Sequence, residues 1–240
     1  LISKDAWRLD EKVGSRKKLG DVSFMRQAVE KMKEGQIWKR GEHVYLQLVT
    51  YSGHNPFILP DNLKRIHFKG SYPQKMLDYM TMANYTDHAL GILLKYLKSR
   101  PDWHETMVVI VGDHEGLAAD RADIRRSAEG RRVVSASQYT PFIVLNSPVP
   151  MRYNGVLGQV DMYPTILNLM HLDNYYWRGM GQSILDKRKV AVAVGSQMNV
   201  EGDVQHASKV EISHLIQAHT IADWVIRYNM EKPFPVLKEN

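Results

Sequence analysis

The sequence contains no cysteine, which excludes disulfide bonds, thiolate metal sites and a cysteine nucleophile. It has no apolar run near the roughly 18 residues that a membrane-spanning helix needs. Its first residues, LISKDAWRLDEK, lack the apolar core of a signal peptide. The chain begins with Leu1 instead of Met, so we expect it to be part of a longer protein. These absences limit any metal site to oxygen and nitrogen ligands.

The composition is that of an ordinary globular protein with a modest excess of positive charge. Among 240 residues, 44% are hydrophobic and 24% are charged, and the formal net charge is +6. This charge suits anionic small substrates or lipid head groups as well as nucleic acid. No basic repeat interleaved with aromatic residues supports nucleic-acid binding. We therefore expect an anionic small-molecule or lipid partner and no nucleic acid.

The stretch Thr106–Gly116, TMVVIVGDHEG, carries the most informative pattern in the chain. Five consecutive apolar residues, Met107 to Val111, predict a buried strand of a parallel sheet. Asp113 and His114 follow at its carboxyl end, the edge at which ligands bind in open α/β sheets. A carboxylate and an imidazole suit a divalent ion such as Mn²⁺, Zn²⁺ or Mg²⁺. The alternative is a polar turn in which Asp113 caps a helix.

A second predicted strand, Val44–Tyr51, leads into the turn Ser52–Phe57, which is rich in residues that break regular structure. If this strand runs parallel to the first one, His54 lies at the same sheet edge as Asp113 and His114. The alternative is a loop histidine that is hydrogen-bonded to the backbone.

Other segments complete a predicted α/β pattern. Asp21 or Ser23 is expected to cap a helix, and Pro73 to open one that ends near Ser99. Its core stripe is predicted as Met76, Met80, Ala83, Asp87, Leu90, Leu94 and Leu97. In that stripe Asp87 is either a structural anchor or a site residue. Further strands are expected at residues 139–146 and 190–194, and further helices after Asp161 and over residues 212–228. The order favours a layered α/β fold whose sheet is mostly parallel, with an antiparallel member possible.

Five arginines follow the central motif, within residues 117–137: Arg121, Arg125, Arg126, Arg131 and Arg132. Loops at the carboxyl edge of a sheet often carry substrate contacts, and guanidinium groups bind phosphate or sulfate oxygens in pairs. Arg121 is the candidate substrate-binding residue among them. A solvated loop or short helix is an equally good interpretation.

Four stretches occur in a fixed order: LQLVTYSGHNPFILP, YTDHALGILLKYL, TMVVIVGDHEG and GQVDMYPTILNLM. Together they resemble the extracellular catalytic domain of lipoteichoic acid synthases and their sulfatase-like relatives in the alkaline phosphatase superfamily. The resemblance covers roughly residues 40–186. It implies the layered α/β sandwich of that superfamily, truncated here at its N-terminus. Residues 1–186 would form the C-terminal part of the catalytic domain, and residues 187–240 its strand and helix extension.

The resemblance also implies phosphoryl- or sulfuryl-ester hydrolysis or transfer, in which a divalent metal activates a threonine or a modified cysteine or serine. It matches Asp113 and His114 to the family's metal-binding pair, and His54 to a histidine that contacts substrate. Mn²⁺ is the most typical metal, with Zn²⁺, Mg²⁺ or Ca²⁺ as alternatives. The family's glutamate ligand and threonine nucleophile are expected upstream of Leu1, so no nucleophile is expected in this chain.

One departure concerns the substrate, because Ala118 stands where lipoteichoic acid synthases have a substrate-contacting serine. The resemblance therefore leaves phosphoglycerol transfer, phosphoethanolamine transfer and sulfate-ester hydrolysis open. It places the parent protein at the cell membrane, with the catalytic domain on the extracytoplasmic side and a lipid head group or glycan ester as substrate. Exposed sheet edges would favour oligomers. The alternative function is a folded binding module with no activity of its own.

Overall fold

The computed structural model describes residues 6–39, 41–174, 179–187, 189–195 and 198–228. The chain divides into two compact units, Leu1–Asn146 and Ser147–Asn240. The helices are α1 (Asp21–Lys33), α2 (Gln74–Lys98), α3 (Arg121–Ile124), α4 (Ala128–Val133), α5 (Gln159–Leu169) and α6 (Lys209–Arg227). The strands are β1 (Lys12–Val13), β2 (Lys18–Leu19), β3 (Val108–Val111), β4 (Phe142–Leu145), β5 (Val192–Val194) and β6 (Val200–Gly202).

Helices α1 and α2 pack against each other and form one core of the first unit. The buried side chains of this core are Met25, Val29 and Met32 from α1 and Ala89, Leu93 and Leu97 from α2. Lys31 and Lys33 lie in the last turn of α1, where positive charge complements the helix dipole. Neighbouring segments of the first unit, including Leu46 and Leu48, pack against this helix pair.

A second core of the first unit joins loops that are far apart in sequence. Met82 and Tyr85 of α2 are buried together with Phe57, Leu117 and Ile124. Phe57 follows the predicted site residue His54, and Leu117 follows the predicted metal pair. The loops that carry the candidate residues are therefore anchored in the same core.

The sheets are small, and each of them is antiparallel among the described residues: β1 with β2, β3 with β4, and β5 with β6. Strand β3 pairs with β4 from Val108 opposite Leu145 to Val111 opposite Phe142. Both strands lie inside the segments that the sequence predicts. The mixture of helices and strands agrees with the predicted α/β class. The predicted mostly parallel sheet is not seen among the described residues, where all three strand pairs are antiparallel.

The prediction of a strand at Val44–Tyr51 is wrong, because this segment is extended but does not pair with another strand. Leu46 and Leu48 pack on the core of α1 and α2, whereas Tyr45 and Val49 point to solvent. The alternation of a strand is therefore present. Within this described segment, residues 43–50 donate and accept no backbone hydrogen bond, so no ladder forms.

The buried face of α2 is also offset from the predicted stripe. Helix α2 has its expected bounds within a residue or two, but Met82, Tyr85, Ala89 and Leu93 are buried. Ala83 and Asp87 are exposed instead. Asp87 is therefore neither a buried anchor nor a member of the core, because the side of α2 that carries a carboxylate faces water.

In the second unit, Asp161 organises the start of α5. Its carboxylate accepts the backbone N–H groups of Gly158 and Gln182, at 3.0 and 2.8 Å, and contacts Lys189 Nζ at 2.9 Å. Asp161 is the third residue of this helix, so it closes the first turn from inside the helix, and Gly158 is the N-cap. The hydrogen bonds at the helix start and the ion pair with Lys189 thus explain why the Asp161 carboxylate is buried.

Helix α6 packs on β5 and starts at a capping box formed by Ser208 and Glu211. No helix within the described ranges combines the length and the apolar character needed to cross a bilayer. The division at residue 186 between a catalytic part and an extension stays a prediction.

Candidate functional site

The sequence around Gly112 turns the chain out of the β3–β4 ladder. Gly112 donates its N–H to Pro141 O at 3.1 Å, one step beyond the last strand pair. A Cβ at this position would lie 3.0 Å from Pro141 Cδ and from Thr140 Cβ, so a residue with a side chain would crowd the two strands. Asp113 and His114 follow immediately and are both exposed.

The Asp113 and His114 side chains face each other and form what we call the Asp–His pair. His114 Nε2 lies 3.8 Å from Asp113 Oδ2, and the side chains are 69% and 89% exposed. The second ring nitrogen, Nδ1, lies 3.0 Å from Glu115 O. A carbonyl oxygen only accepts, so Nδ1–H is the donor. In the neutral ring the lone pair of Nε2 then points towards the carboxylate side, which is the arrangement of metal-binding histidines.

Glu115 and Arg121 hold the turn that follows the Asp–His pair. Arg121 Nε donates to Glu115 Oε1 at 2.9 Å, and Nη2 also contacts Oε2. Their side chains are only 18% and 16% exposed. Arg121 is therefore held against the turn that follows the Asp–His pair, and its guanidinium is bound to Glu115.

The arginine-rich segment is ordered into the short helices α3 and α4. Arg125 Nη1 donates to Val134 O, and Arg131 Nη1 donates to Arg125 O and Arg126 O. These guanidinium groups donate hydrogen bonds to carbonyl groups at the C-terminal ends of the short helices. The structural interpretation of the arginine-rich segment therefore holds for Arg125 and Arg131.

The His54 turn is fixed by a buried carboxylate that the sequence did not single out for this role. Asp21 Oδ1 accepts the N–H groups of Tyr51 and Ser52, at 2.9 and 3.1 Å, and Oδ2 accepts the Thr86 hydroxyl at 3.1 Å. Its own N–H donates to Ser52 Oγ at 2.9 Å. Asp21 begins α1 after Gly20, but its carboxylate binds the turn and does not cap its own helix.

His54 is exposed and stacks on Tyr51, with ring centroids 5.7 Å apart and an interplanar angle of 11°. Its Nδ1 lies 2.9 Å from Asn55 O, so Nδ1–H donates to this carbonyl. His54 and His114 thus use the same nitrogen to fix the ring and leave Nε2 for a ligand. The alternative of a backbone-bonded loop histidine describes the same contact, and the two interpretations are compatible.

Tyr79 of α2 connects the two loops. Its ring makes an edge contact with Phe57, at a centroid distance of 5.2 Å. The backbone of Gly116 passes the same ring so closely that a Cβ would lie 2.7 Å from Tyr79 Cε2. The His54 turn and the Asp–His turn therefore rest on one side chain. Sequence reasoning missed Tyr79 because aromatic residues on helices are ordinarily core.

The Asp–His pair fits a divalent cation as two of its ligands. It offers one carboxylate and one correctly held imidazole, both open to solvent. Within the described residues, no group of three or more His, Cys, Asp or Glu side chains is placed to hold a metal. Two donors are too few for a closed site, so further ligands are needed for tight binding.

Comparison with known proteins places this geometry in context. Residues 9–172, more than half of the chain, match the family model described as Sulfatase. The lipoteichoic acid synthase-like protein YvgJ of Bacillus subtilis (strain 168) is 24% identical over 185 residues, which cover 73% of this chain and 29% of that relative. The lipoteichoic acid synthase of Staphylococcus aureus (strain USA300) is 26% identical over 152 residues, covering 60% of this chain and 23% of its own length. The chain thus spans about a quarter of the length of these relatives.

A solved structure shows the fold. It is a protein in the alkaline phosphatase superfamily from Vibrio parahaemolyticus, with a TM-score of 0.57 and 16% identity. The match covers 92% of this chain and 58% of that one. The predicted alkaline phosphatase type of α/β fold is therefore confirmed.

Proposed function

Because the chain belongs to the sulfatase family, we propose that it contributes the Asp–His pair to a divalent-metal site that acts on phosphate or sulfate esters. The observation that carries this proposal is the orientation of His114. Its Nδ1–H is held by Glu115 O, and Nε2 is turned to Asp113. In this arrangement the nitrogen and a carboxylate oxygen lie close enough together to bind the same cation.

Asp113 and His114 would hold the metal. The resemblance to lipoteichoic acid synthases makes Mn²⁺ the first candidate, and Zn²⁺, Mg²⁺ and Ca²⁺ are the alternatives. A bound divalent ion supplies Lewis acidity and neutralises negative charge on the group being transferred. His54 would contact an oxygen of that group through Nε2 while Nδ1–H stays on Asn55 O. Stacking on Tyr51 restricts the orientation of the His54 ring.

Arg121 supports the same site through Glu115. Its guanidinium holds the turn below the Asp–His pair, and an ester oxygen would have to compete with Glu115 for it. We therefore propose that Arg121 binds substrate only if the substrate displaces the Glu115 carboxylate from its guanidinium. A Lys at this position would keep the charge but lose the fork of donors.

The substrate class that suits these groups is an anionic phosphate or sulfate ester. From the resemblance to lipoteichoic acid synthases, we propose a lipid-linked or glycan-linked ester on the extracytoplasmic side of the cell membrane. Hydrolysis and group transfer use the same bound state and differ in the acceptor, which is water or an alcohol.

The test is titration of the purified chain with Mn²⁺, followed by electron paramagnetic resonance and calorimetry. We expect one Mn²⁺ per chain, with affinity lowered at least about tenfold by Asp113→Ala or His114→Ala. Asp123→Ala is the matched control, because Asp123 is an exposed carboxylate in the same segment. Equal Mn²⁺ affinity in wild type, Asp113→Ala and Asp123→Ala would contradict the assignment.

The second candidate is a folded module that binds anions or metal without turnover. It is favoured by the finding that the described residues bring together only two metal donors. Hydrolysis of p-nitrophenyl phosphate, bis-p-nitrophenyl phosphate and p-nitrophenyl sulfate by the intact parent protein in saturating Mn²⁺ separates the two candidates, because no nucleophile is expected in this chain alone. Turnover that Asp113→Ala abolishes supports the enzyme, whereas Mn²⁺ binding without turnover supports the module.

A further inference from the structure

A short basic turn lies against the segment that carries His54. This basic turn, Gly14–Lys18, connects β1 to β2 and contains Arg16, Lys17 and Lys18. Gly14 has a φ of +71° and Lys17 one of +49°, and Lys17 N–H closes the turn on Gly14 O at 3.1 Å. The left-handed backbone at Gly14 is one that glycine adopts at little cost.

Two contacts attach the start of the basic turn to the segment that carries His54. Gly14 donates its N–H to Ile58 O at 2.9 Å, directly after the His54 turn. Its backbone also passes the Tyr51 ring, since a Cβ at position 14 would lie 3.8 Å from Tyr51 Cε1. Tyr51 in turn stacks on His54. Val13 and Phe57 are buried in one core and fix the same relationship from below.

The positive charge of the basic turn is not neutralised locally. Arg16, Lys17 and Lys18 are exposed, and in the part of the chain that the structure describes none of them forms an ion pair. The acidic residues that precede the turn are engaged elsewhere. Glu11 accepts from Tyr85 Oη and Ser23 N–H, and Asp10 accepts from Ser23 Oγ.

We infer that the basic turn is a second anion-binding subsite next to His54, for a substrate that carries another phosphate or sulfate group beyond the ester being cleaved. This inference rests on the proposed role of His54. A cation cluster fixed beside a ligand-binding ring attracts further negative charge more than an isolated surface lysine does. A simple monoester engages His54 alone, whereas a polyanionic ester engages both.

The test compares two probes, inorganic phosphate and tripolyphosphate, in metal-free buffer at fixed ionic strength. Binding is measured by calorimetry and by the NMR shifts of the His54 ring. The double variant Arg16→Ser/Lys17→Ser is compared with Arg132→Ser/Lys95→Ser, which loses the same charge at exposed positions elsewhere in the first unit. Circular dichroism and thermal melting confirm that each variant is folded.

We expect Arg16→Ser/Lys17→Ser to weaken tripolyphosphate binding about tenfold and phosphate binding by less than about twofold, because two nearby charges are removed. His54→Ala should weaken both probes. The inference is overturned if the turn variant weakens tripolyphosphate no more than the charge-matched control does. It is also overturned if the turn variant weakens tripolyphosphate while His54→Ala and the His54 shifts show no response, because the turn would then bind anions away from His54.

Failure of the inference and failure of the proposed function give different results. Loss of the difference between the two double variants refutes the subsite and leaves the Mn²⁺ titration of Asp113→Ala unaffected. An unchanged Mn²⁺ affinity in Asp113→Ala refutes the proposed function whatever tripolyphosphate does.

Discussion

The buried carboxylate of Asp21 accepts the backbone N–H of Tyr51 at 2.9 Å, although the two residues are 30 positions apart. The same carboxylate accepts the N–H of Ser52 and the hydroxyl of Thr86. One side chain at the start of α1 therefore joins the His54 turn to α2. A charged acceptor with three donors is among the stronger hydrogen-bond arrangements in proteins.

Asp21→Ala should lower the free energy of unfolding by about 3 kcal/mol, because it leaves two buried N–H groups without an acceptor. Asp21→Asn keeps one acceptor oxygen and should cost less. Urea denaturation measures both changes. Asp123→Ala is the control, since its carboxylate is exposed. A loss in Asp21→Ala no larger than in this control would show that the turn does not depend on Asp21.

Gly116→Ala should destabilise the Asp–His turn. The added Cβ would lie 2.7 Å from Tyr79 Cε2, and relieving this contact should cost about 1–3 kcal/mol. In a Tyr79→Leu background the cost should shrink, which a double-mutant cycle measures. Gly53→Ala is the matched control, because a Cβ there meets nothing within 4 Å. Equal costs at Gly116 and Gly53 would rule out the close approach.

Lys189 and Asp161 form a buried ion pair in the second unit, with side chains 7% and 6% exposed. Lys189→Met should cost about 3 kcal/mol of unfolding free energy, because it leaves the Asp161 carboxylate buried without its cation. The exposed pair of Arg227 and Asp223 supplies the comparison, and Arg227→Met should cost less than about 1 kcal/mol. Thermal denaturation of both variants checks the difference. A smaller loss in Lys189→Met than in Arg227→Met would contradict it.

The pair formed by Arg100 and Asp102 should make stability depend on pH. The Arg100 guanidinium donates to Asp102 at 2.8 and 2.6 Å, and this hydrogen bonding lowers the pKa of the Asp102 carboxyl. Because the folded-state pKa is below the unfolded one of about 3.9, the stabilisation is complete above that pH and is lost as the pH falls through the folded-state value.

Asp102→Asn should therefore lower the unfolding free energy by at most about 1 kcal/mol at neutral pH, because the pair is partly exposed. The difference from wild type should vanish under acid conditions. Urea titrations at a series of pH values measure both curves. A difference that stays constant down to the lowest pH would show that ionisation of Asp102 is not its source.

Sequence patterns predicted the elements whose signals are local. The run Met107–Val111 gave β3, and Pro73 with a long apolar periodicity gave α2, each within one or two residues. The face of α2 was predicted in part: Met76 and Leu97 are buried, whereas Ala83 and Asp87 are exposed, because Met and Leu residues line two adjacent stripes. The exposed Asp87 marks the stripe that faces water, and a carboxylate among apolar positions is the signal that distinguishes the two.

The candidate site residues stay a prediction, and the contacts that hold them in place could not be predicted from the sequence. Strand ends and turn residues single out His54, Asp113 and His114. The contacts of Asp21 with Tyr51, and of Tyr79 with Gly116, join residues 30 or more positions apart. No periodicity reports such pairs, because they depend on how α1, α2 and the loops pack. The unpaired segment Val44–Tyr51 has the same explanation, since alternation fixes a strand's faces and not its neighbours.

The hydrogen bond from Gly112 to Pro141 means that the chain leaves and rejoins the β3–β4 ladder at a single point. Residues 113–140 thus form one long loop whose two ends are held together at the end of the ladder. Lengthening such a loop is inexpensive, since doubling it adds only about 0.6 kcal/mol of closure entropy. Insertions or deletions beyond Arg121 can therefore change what surrounds the Asp–His pair without moving its attachment to the ladder. This arrangement lets the length and sequence of the loop change while the position of the Asp–His pair is inherited intact.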